Sequence, residues 1–191
     1  MSLKSNSLIY KNYTEHQEIR KDVEPLFISA FPRDERPDEE TYFSNFLTNE
    51  NAVLWGFYDN DEFVGFLSFV LYKDICYLFF LAIVEEKRNQ GYGTAILSTA
   101  KEVFKDRVML LCYEEVDDKY EDNEMRKKRE RLYHRLGYID NGYKTNEFGV
   151  IFQTAYNGKH KVPFEDYWNI FKIGFRLTDE KFLKKHLKQV Q

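Results

Sequence analysis

The chain has 191 residues, 43% hydrophobic and 17% aromatic, with a net charge of −4 and both signs interspersed. That size suits a single domain with a substantial core, and the charge offers neither a basic footprint for nucleic acid nor a polybasic membrane anchor. No apolar stretch approaches the ~20 residues of a membrane span.

The two cysteines, Cys76 and Cys112, lie far apart in apolar runs without metal-type spacing or a secretory signal before them. Reduced thiols in a cytoplasmic protein are the expectation.

Ser7 to Tyr13 reads as an edge strand. From Glu15, Ile19, Val23, Leu26, Phe27 and Phe31 follow helical spacing, with Pro25 expected to bend or restart the helix before Phe31-Pro32 ends it. After the charged loop Arg33-Asp34-Glu35-Arg36, a second helix is predicted over 38–48, with Tyr42, Phe43, Phe46 and Leu47 on one side. Ala52 to Tyr58, Glu62 to Tyr72 and Ile75 to Val84 are strands separated by Asp59-Asn60-Asp61 and Lys73-Asp74, an antiparallel meander. The third is apolar on both faces and belongs inside the sheet.

Ala95, Ile96, Ala100, Val103 and Phe104 then mark a helix from Thr94 to about Lys105, followed by a buried strand from Val108 to Tyr113. Asp122 to Leu136 is a charged helix with Met125, Leu132, Tyr133 and Leu136 inward and Gly137 as its stop. Phe148 to Tyr156 reads as a strand, Asn157-Gly158 as a turn and Pro163 to Lys172 as a helix. Thr178 can cap a final helix with Phe182, Leu183, Leu187 and Val190 inward; this stripe suits its own domain or a second subunit, leaving a homodimer open.

Arg88-Asn89-Gln90-Gly91-Tyr92-Gly93 sits between a buried strand and a helix. Close glycines at a helix N-terminus expose backbone N–H groups and the positive end of the helix dipole, which suits pyrophosphate. A dinucleotide fingerprint wants a third glycine where Ile96 stands, and a P-loop wants Gly-Lys-Ser/Thr, which is absent. What remains is Arg-x-x-Gly-x-Gly.

The run Leu81 to Thr94 resembles the acetyl-CoA signature of the GNAT acetyltransferase superfamily. The meander before it, the strand Val108 to Tyr113 and the block Leu132-Tyr133-His134-Arg135-Leu136-Gly137-Tyr138 fall in that family's order, so the resemblance runs from Leu8 to Phe171. It implies an α/β (α+β) fold: one GNAT-like domain over 1–191, with a mixed, centrally splayed sheet of about six to seven strands flanked by helices. Its core would cover about 7–172 and its C-terminal helix about 178–190.

The same resemblance implies that the backbone of Leu81, Ala82 and Ile83 pairs with the pantetheine arm, and that Arg88, Asn89, Gln90, Gly91, Tyr92, Gly93 and Thr94 cradle the pyrophosphate. The sequence departs from the family twice. Glu85 stands where proline is common, and Arg126 stands where many members hold pantetheine with asparagine. Asn123 lies nearly a turn earlier, and Arg126 becomes a candidate partner for the cofactor's phosphates.

Acetyl transfer from a thioester to an amine needs a deprotonated amine, oxyanion stabilisation and a proton for the departing thiolate. The N–H of Ile83 is the candidate oxyanion donor and Tyr133 the candidate general acid. Glu114, at the carboxyl end of its strand on the face of Cys112, is the first choice of base. Glu35, in Phe31-Pro32-Arg33-Asp34-Glu35-Arg36, resembles the acceptor-side loop of many members and is the second carboxylate. Together they would suit a cationic amine.

His134 points about 100° away from Tyr133 on a helix, and no histidine meets an acid at metal spacing, so no metal is inferred. The expected function is acetyl-CoA-dependent N-acetylation of a small-molecule or peptide amine. Its alternatives are an inactive acyl-CoA-binding sensor and a nucleotide-binding protein that uses the same loop.

Overall fold

A computed structural model describes residues 8–33, 36–176 and 179–190. The chain forms two compact units, residues 1–71 with 78–103 and residues 72–77 with 104–191. One sheet carries eight strands among the described residues, in the order β1-β2-β3-β4-β5-β7-β6-β8.

The first unit holds β1 (Leu8–Asn12), α1 (Arg20–Ala30), α2 (Glu39–Thr48), β2 (Ala52–Asp59), most of β3 (Glu62–Tyr72) and β4 (Ile75–Ile83), and α3 (Tyr92–Val103). A 3-10 turn over Gln17–Ile19 leads into α1, which runs unbroken through Pro25 rather than restarting there. Burial explains the tolerance. Ile19, Val23 and Phe27 are fully enclosed, and their packing offsets the hydrogen bond that proline removes. Asp38 caps α2 by accepting the Thr41 N–H at 2.9 Å. Tyr42, Phe43 and Phe46 are buried as the spacing predicted, whereas Leu47 is exposed. Phe27 anchors this core, stacked on Tyr42 at 4.0 Å and edge-on to Phe80 at 5.3 Å. In α3, which starts at Tyr92 rather than Thr94, Leu97 joins Ile96 and Ala100 in the core, whereas Val103, expected on the apolar face, is exposed.

The second unit holds β5 (Val108–Glu114), α4 (Asn123–Arg135), β6 (Ile139–Glu147), β7 (Val150–Asn157), α5 (Phe164–Phe175), α6 (Glu180–His186) and β8 (Leu187–Val190). β7 pairs antiparallel with both β5 and β6, and β8 with β6. Phe148 and Gly149 both have positive φ, 53° and 99°, and form the two-residue turn between β6 and β7.

The eight strands exceed the expected six to seven by one or two. β6 was not foreseen, and the last residues of the anticipated final helix form β8 instead. Helix α6 stops at His186, and Leu187 to Val190 take backbone hydrogen bonds from the β6 edge. The cap expected at Thr178 lies outside the described residues; Asp179 caps α6 by accepting the N–H groups of Lys181 and Phe182. Met125, expected inward on α4, is exposed.

Candidate active site

In the first unit the strand, loop and helix around the two glycines form a continuous cradle. The N–H of Val84 bonds to the Val64 carbonyl of β3 at 3.1 Å. Alternation along the strand therefore turns the N–H of Ile83 to the opposite edge. Gly65 lets β3 approach that segment: a Cβ there would lie 2.4 Å from the Ala82 carbonyl oxygen.

Beyond Ile83, a 3-10 turn over Glu85–Lys87 leads to Asn89 and Gly91, whose φ values of 61° and 93° are both left-handed. Left-handed residues at close spacing turn successive amides toward one concavity. The first intrahelical bond of α3 is Ala95 N–H to Gly91 O at 3.0 Å, so the amides of Tyr92, Gly93 and Thr94 precede the hydrogen-bonded ladder. This positively polarised end suits an anion such as a pyrophosphate.

Side chains hold the cradle in shape. Tyr92 turns its ring inward and donates its hydroxyl to Asp59 at 2.8 Å, while Lys87 pairs with Glu62 at 2.6 Å, tying both ends of the loop to the β2–β3 turn. Gln90 donates to the Glu86 carbonyl at 2.6 Å. Arg88 donates Nε–H to the Ile83 carbonyl at 3.2 Å and is otherwise exposed.

In the second unit Tyr133 sits in the last turn of α4, which ends in a Schellman motif. The N–H of Tyr138 bonds to the Tyr133 carbonyl and that of Gly137, at φ 82°, to the His134 carbonyl, both at 3.0 Å. The motif folds the Tyr138 ring back against Tyr133, with Tyr113 of β5 on another side. Burial pushes the Tyr133 phenol up to about 12, with Arg129, one turn earlier, pulling the other way. Tyr133 is therefore protonated and neutral at physiological pH.

Glu114, at the end of β5, pairs with Arg129. Its neighbour Glu115 bonds Lys144 at 2.7 Å and Lys119 at 2.9 Å, and these lysines hold its carboxyl below the usual range. Asn123 accepts the Asp117 N–H at 3.0 Å and donates to Asp118 at 2.7 Å, shaping the loop before α4. Arg126 is held by the Asp122 carboxylate at 2.8 Å, the Glu115 carbonyl at 3.1 Å and the Tyr120 ring at 3.9 Å.

The sequence pattern of the acetyltransferase (GNAT) family matches residues 17–138, which take in the glycine loop, β5 and the end of α4. The chain belongs to the acetyltransferase (GNAT) family. No curated protein matches it in sequence. Its fold is that of solved GNAT structures. A chain from Bacteroides thetaiotaomicron assigned to the GNAT family is 20% identical with a TM-score of 0.69, over 91% of this chain and 98% of that one. An aminoglycoside 6'-N-acetyltransferase complexed with coenzyme A is 20% identical with a TM-score of 0.61, over 81% and 98%. The ribosomal-protein-S18-alanine N-acetyltransferase of Escherichia coli is 17% identical with a TM-score of 0.60, over 82% and 96%.

In this GNAT acetyltransferase the loop residues Arg88 to Thr94 share one unit with Leu81, Ala82 and Ile83, while Tyr133, Glu114 and Arg126 share the other. Glu35 lies outside the described residues. Beside it, Arg36 donates to the Phe31 carbonyl at 3.0 Å, pairs with Glu39 and lies over the Phe27 ring. His134 is exposed.

Among the described residues, no group of three or more His, Cys, Asp or Glu side chains is placed to hold a metal ion, and no helix is long and apolar enough to cross a membrane. Sequence reasoning passed over Asp59, Arg129 and Glu147. Only Arg129 carried a local signal, since residues four apart on a helix share a face and Tyr133 follows it at that spacing.

Proposed function

We propose that this chain transfers an acetyl group from acetyl-CoA to a primary amine by direct attack, as one GNAT-like domain. The observation that carries this reading is the left-handed Asn89/Gly91 loop, which opens the amides of Tyr92, Gly93 and Thr94 at the start of α3. They fit a pyrophosphate by geometry and charge, without a lysine or metal in the loop. Coenzyme A supplies the acetyl group as a thioester.

The chain's own residues do the rest. The edge-facing N–H of Ile83 is the donor for the developing oxyanion, and Leu81 to Ile83 offer backbone pairing to the pantetheine. Tyr133, protonated at neutral pH, donates to the departing sulfur. Glu114, moderated by Arg129, and Glu35 are the acceptor-side carboxylates. Arg126 is already held within the protein and would contribute to the cofactor's phosphates only by giving up those contacts.

Two of the solved structures with this fold are N-acetyltransferases by name, acting on an aminoglycoside and on a ribosomal-protein alanine. They support nitrogen as the acceptor atom and leave a small molecule or a peptide as its carrier. The free thiols Cys76 and Cys112 and the use of acetyl-CoA favour a cytoplasmic setting.

The test is thiol release from acetyl-CoA across a panel of polyamines, aminoglycosides and peptides, with Tyr133→Phe as comparison. Turnover that falls in the variant supports the reading. Acetyl-CoA binding without turnover anywhere in the panel would favour an inactive acyl-CoA sensor, and absence of acetyl-CoA binding would overturn the reading altogether.

A further inference from the structure

The second unit contains a buried polar network that the proposed chemistry does not use, centred on the Tyr167 hydroxyl of α5. That oxygen donates to Glu147 Oε1 and lies 3.2 Å from both Cys112 Sγ of β5 and the Tyr77 hydroxyl of β4. Thr145 adds a second donor to Glu147 Oε1 at 2.7 Å. Tyr143, Thr145 and Glu147 alternate along β6 and so share a face, and the Phe148-Gly149 turn ends the strand directly after Glu147.

Charge and access set Glu147 apart. Glu114 has Arg129 and Glu115 has two lysines, whereas among the described residues no Lys, Arg or His pairs with Glu147. The groups facing it are neutral at physiological pH: Tyr167 from α5, Cys112 from β5, and Thr145 and Tyr143 from β6, with Tyr77 behind Tyr167. From the C-terminal segment, the His186 ring stacks on Phe148. Burial raises the Glu147 carboxyl and the Cys112 thiol, yet the network is not sealed. Cys112 is half-buried between the fully enclosed Leu111 and Tyr113, and Glu147 is half-buried beside the fully enclosed Thr145 and Tyr167.

A carboxylate in such surroundings is costly to ionise without a cation, and neutral donors meet its hydrogen-bonding needs but not its charge. We propose that Glu147 binds the ammonium group of the acceptor, making this carboxylate the group that selects cationic primary amines over neutral or anionic ones. The proposal rests on the acetyl-transfer reading and adds the carboxylate and the substrate class.

Glu147→Gln keeps an oxygen acceptor for Tyr167 and Thr145 and removes only the charge. Spermidine, kanamycin and a lysine-containing peptide serve as probes. For whichever turns over fastest, the variant is expected to raise KM by at least about tenfold while leaving the acetyl-CoA Kd and the melting temperature unchanged. An unchanged KM overturns the proposal.

A second measurement uses the wild-type protein and does not depend on the variant folding. With a small maleimide in excess, Cys112 should be alkylated slowly, because burial raises its thiol, with the fully buried Cys76 silent, and saturating probe should slow that labelling at least about threefold further. An inert Cys112, or labelling that none of the cationic probes slows, overturns the proposal. Failure of the protein to bind acetyl-CoA would instead count against the acetyl-transfer reading.

Discussion

Gly65→Ala tests whether close approach of β3 and β4 shapes the strand proposed to pair with the cofactor. The new Cβ would sit 2.4 Å from the Ala82 carbonyl oxygen, 3.0 Å from Ile83 Cδ1 and 3.2 Å from Ile83 Cα. Two of these three atoms are backbone, so no rotamer change relieves the contact, and the strands must part by roughly 0.6 Å to reach the 3.0 Å floor of real Cβ contacts. Overpacking of this kind costs about 1–3 kcal/mol. With an m-value of about 2 kcal/mol/M, the urea midpoint should fall by about 0.5–1.5 M.

Because the displaced atoms belong to Ala82 and Ile83, acetyl-CoA affinity should fall as well, by about tenfold if roughly 1.4 kcal/mol of the distortion persists in the bound state. Gly56→Ala is the comparator. Its Cβ would meet the end of the Ile19 side chain at 3.2 Å, which can move, and its cost should stay below about 1 kcal/mol. Equal urea midpoints for the two variants would refute the reasoning, as would a Gly65→Ala protein with undiminished affinity for acetyl-CoA.

Tyr133→Phe should lower kcat by about 10²–10⁴-fold with little change in the acetyl-CoA Kd, measured by thiol release and calorimetry. Since a general acid must be protonated and this phenol is pushed up to about 12, wild-type kcat should show no loss attributable to Tyr133 up to about pH 10. Gly91→Ala forces a side chain into φ 93° and should cost about 1–2 kcal/mol in denaturant melts while weakening acetyl-CoA binding more than Tyr133→Phe does. For Glu115, whose carboxyl is held low by Lys144 and Lys119, the stabilisation is present above its ordinary pKa and is lost as pH falls through the lowered value. Glu115→Gln should therefore trail wild type by about 0.5–1 kcal/mol at pH 7, the lysines being partly exposed, and the gap in thermal melts should close below about pH 4.

The sequence by itself determined the parts whose physics is local. Runs of apolar and β-branched residues broken by Asp59-Asn60-Asp61 and Lys73-Asp74 specify the meander, because short polar turns permit few other connections. Gly91 marks the turn into α3 and Gly137 the end of α4, because both occupy left-handed backbone.

Tertiary structure decided the rest. Strand β6 escaped notice because its buried positions are Asn141, Tyr143 and Thr145, so the alternation that reports a buried face in apolar residues is written there in polar ones. Leu183 and Leu187 are buried at helical spacing, yet Leu187 lies in β8, since an open β6 edge offered backbone partners that no local pattern can report. The pairing of Glu114 with Arg129, the anchoring of Tyr92 on Asp59 and the isolation of Glu147 from every described cation arise in the same way. Each depends on which side chains long-range strand pairing and helix packing bring within a few ångströms, and charge in a sequence carries no record of its eventual neighbours.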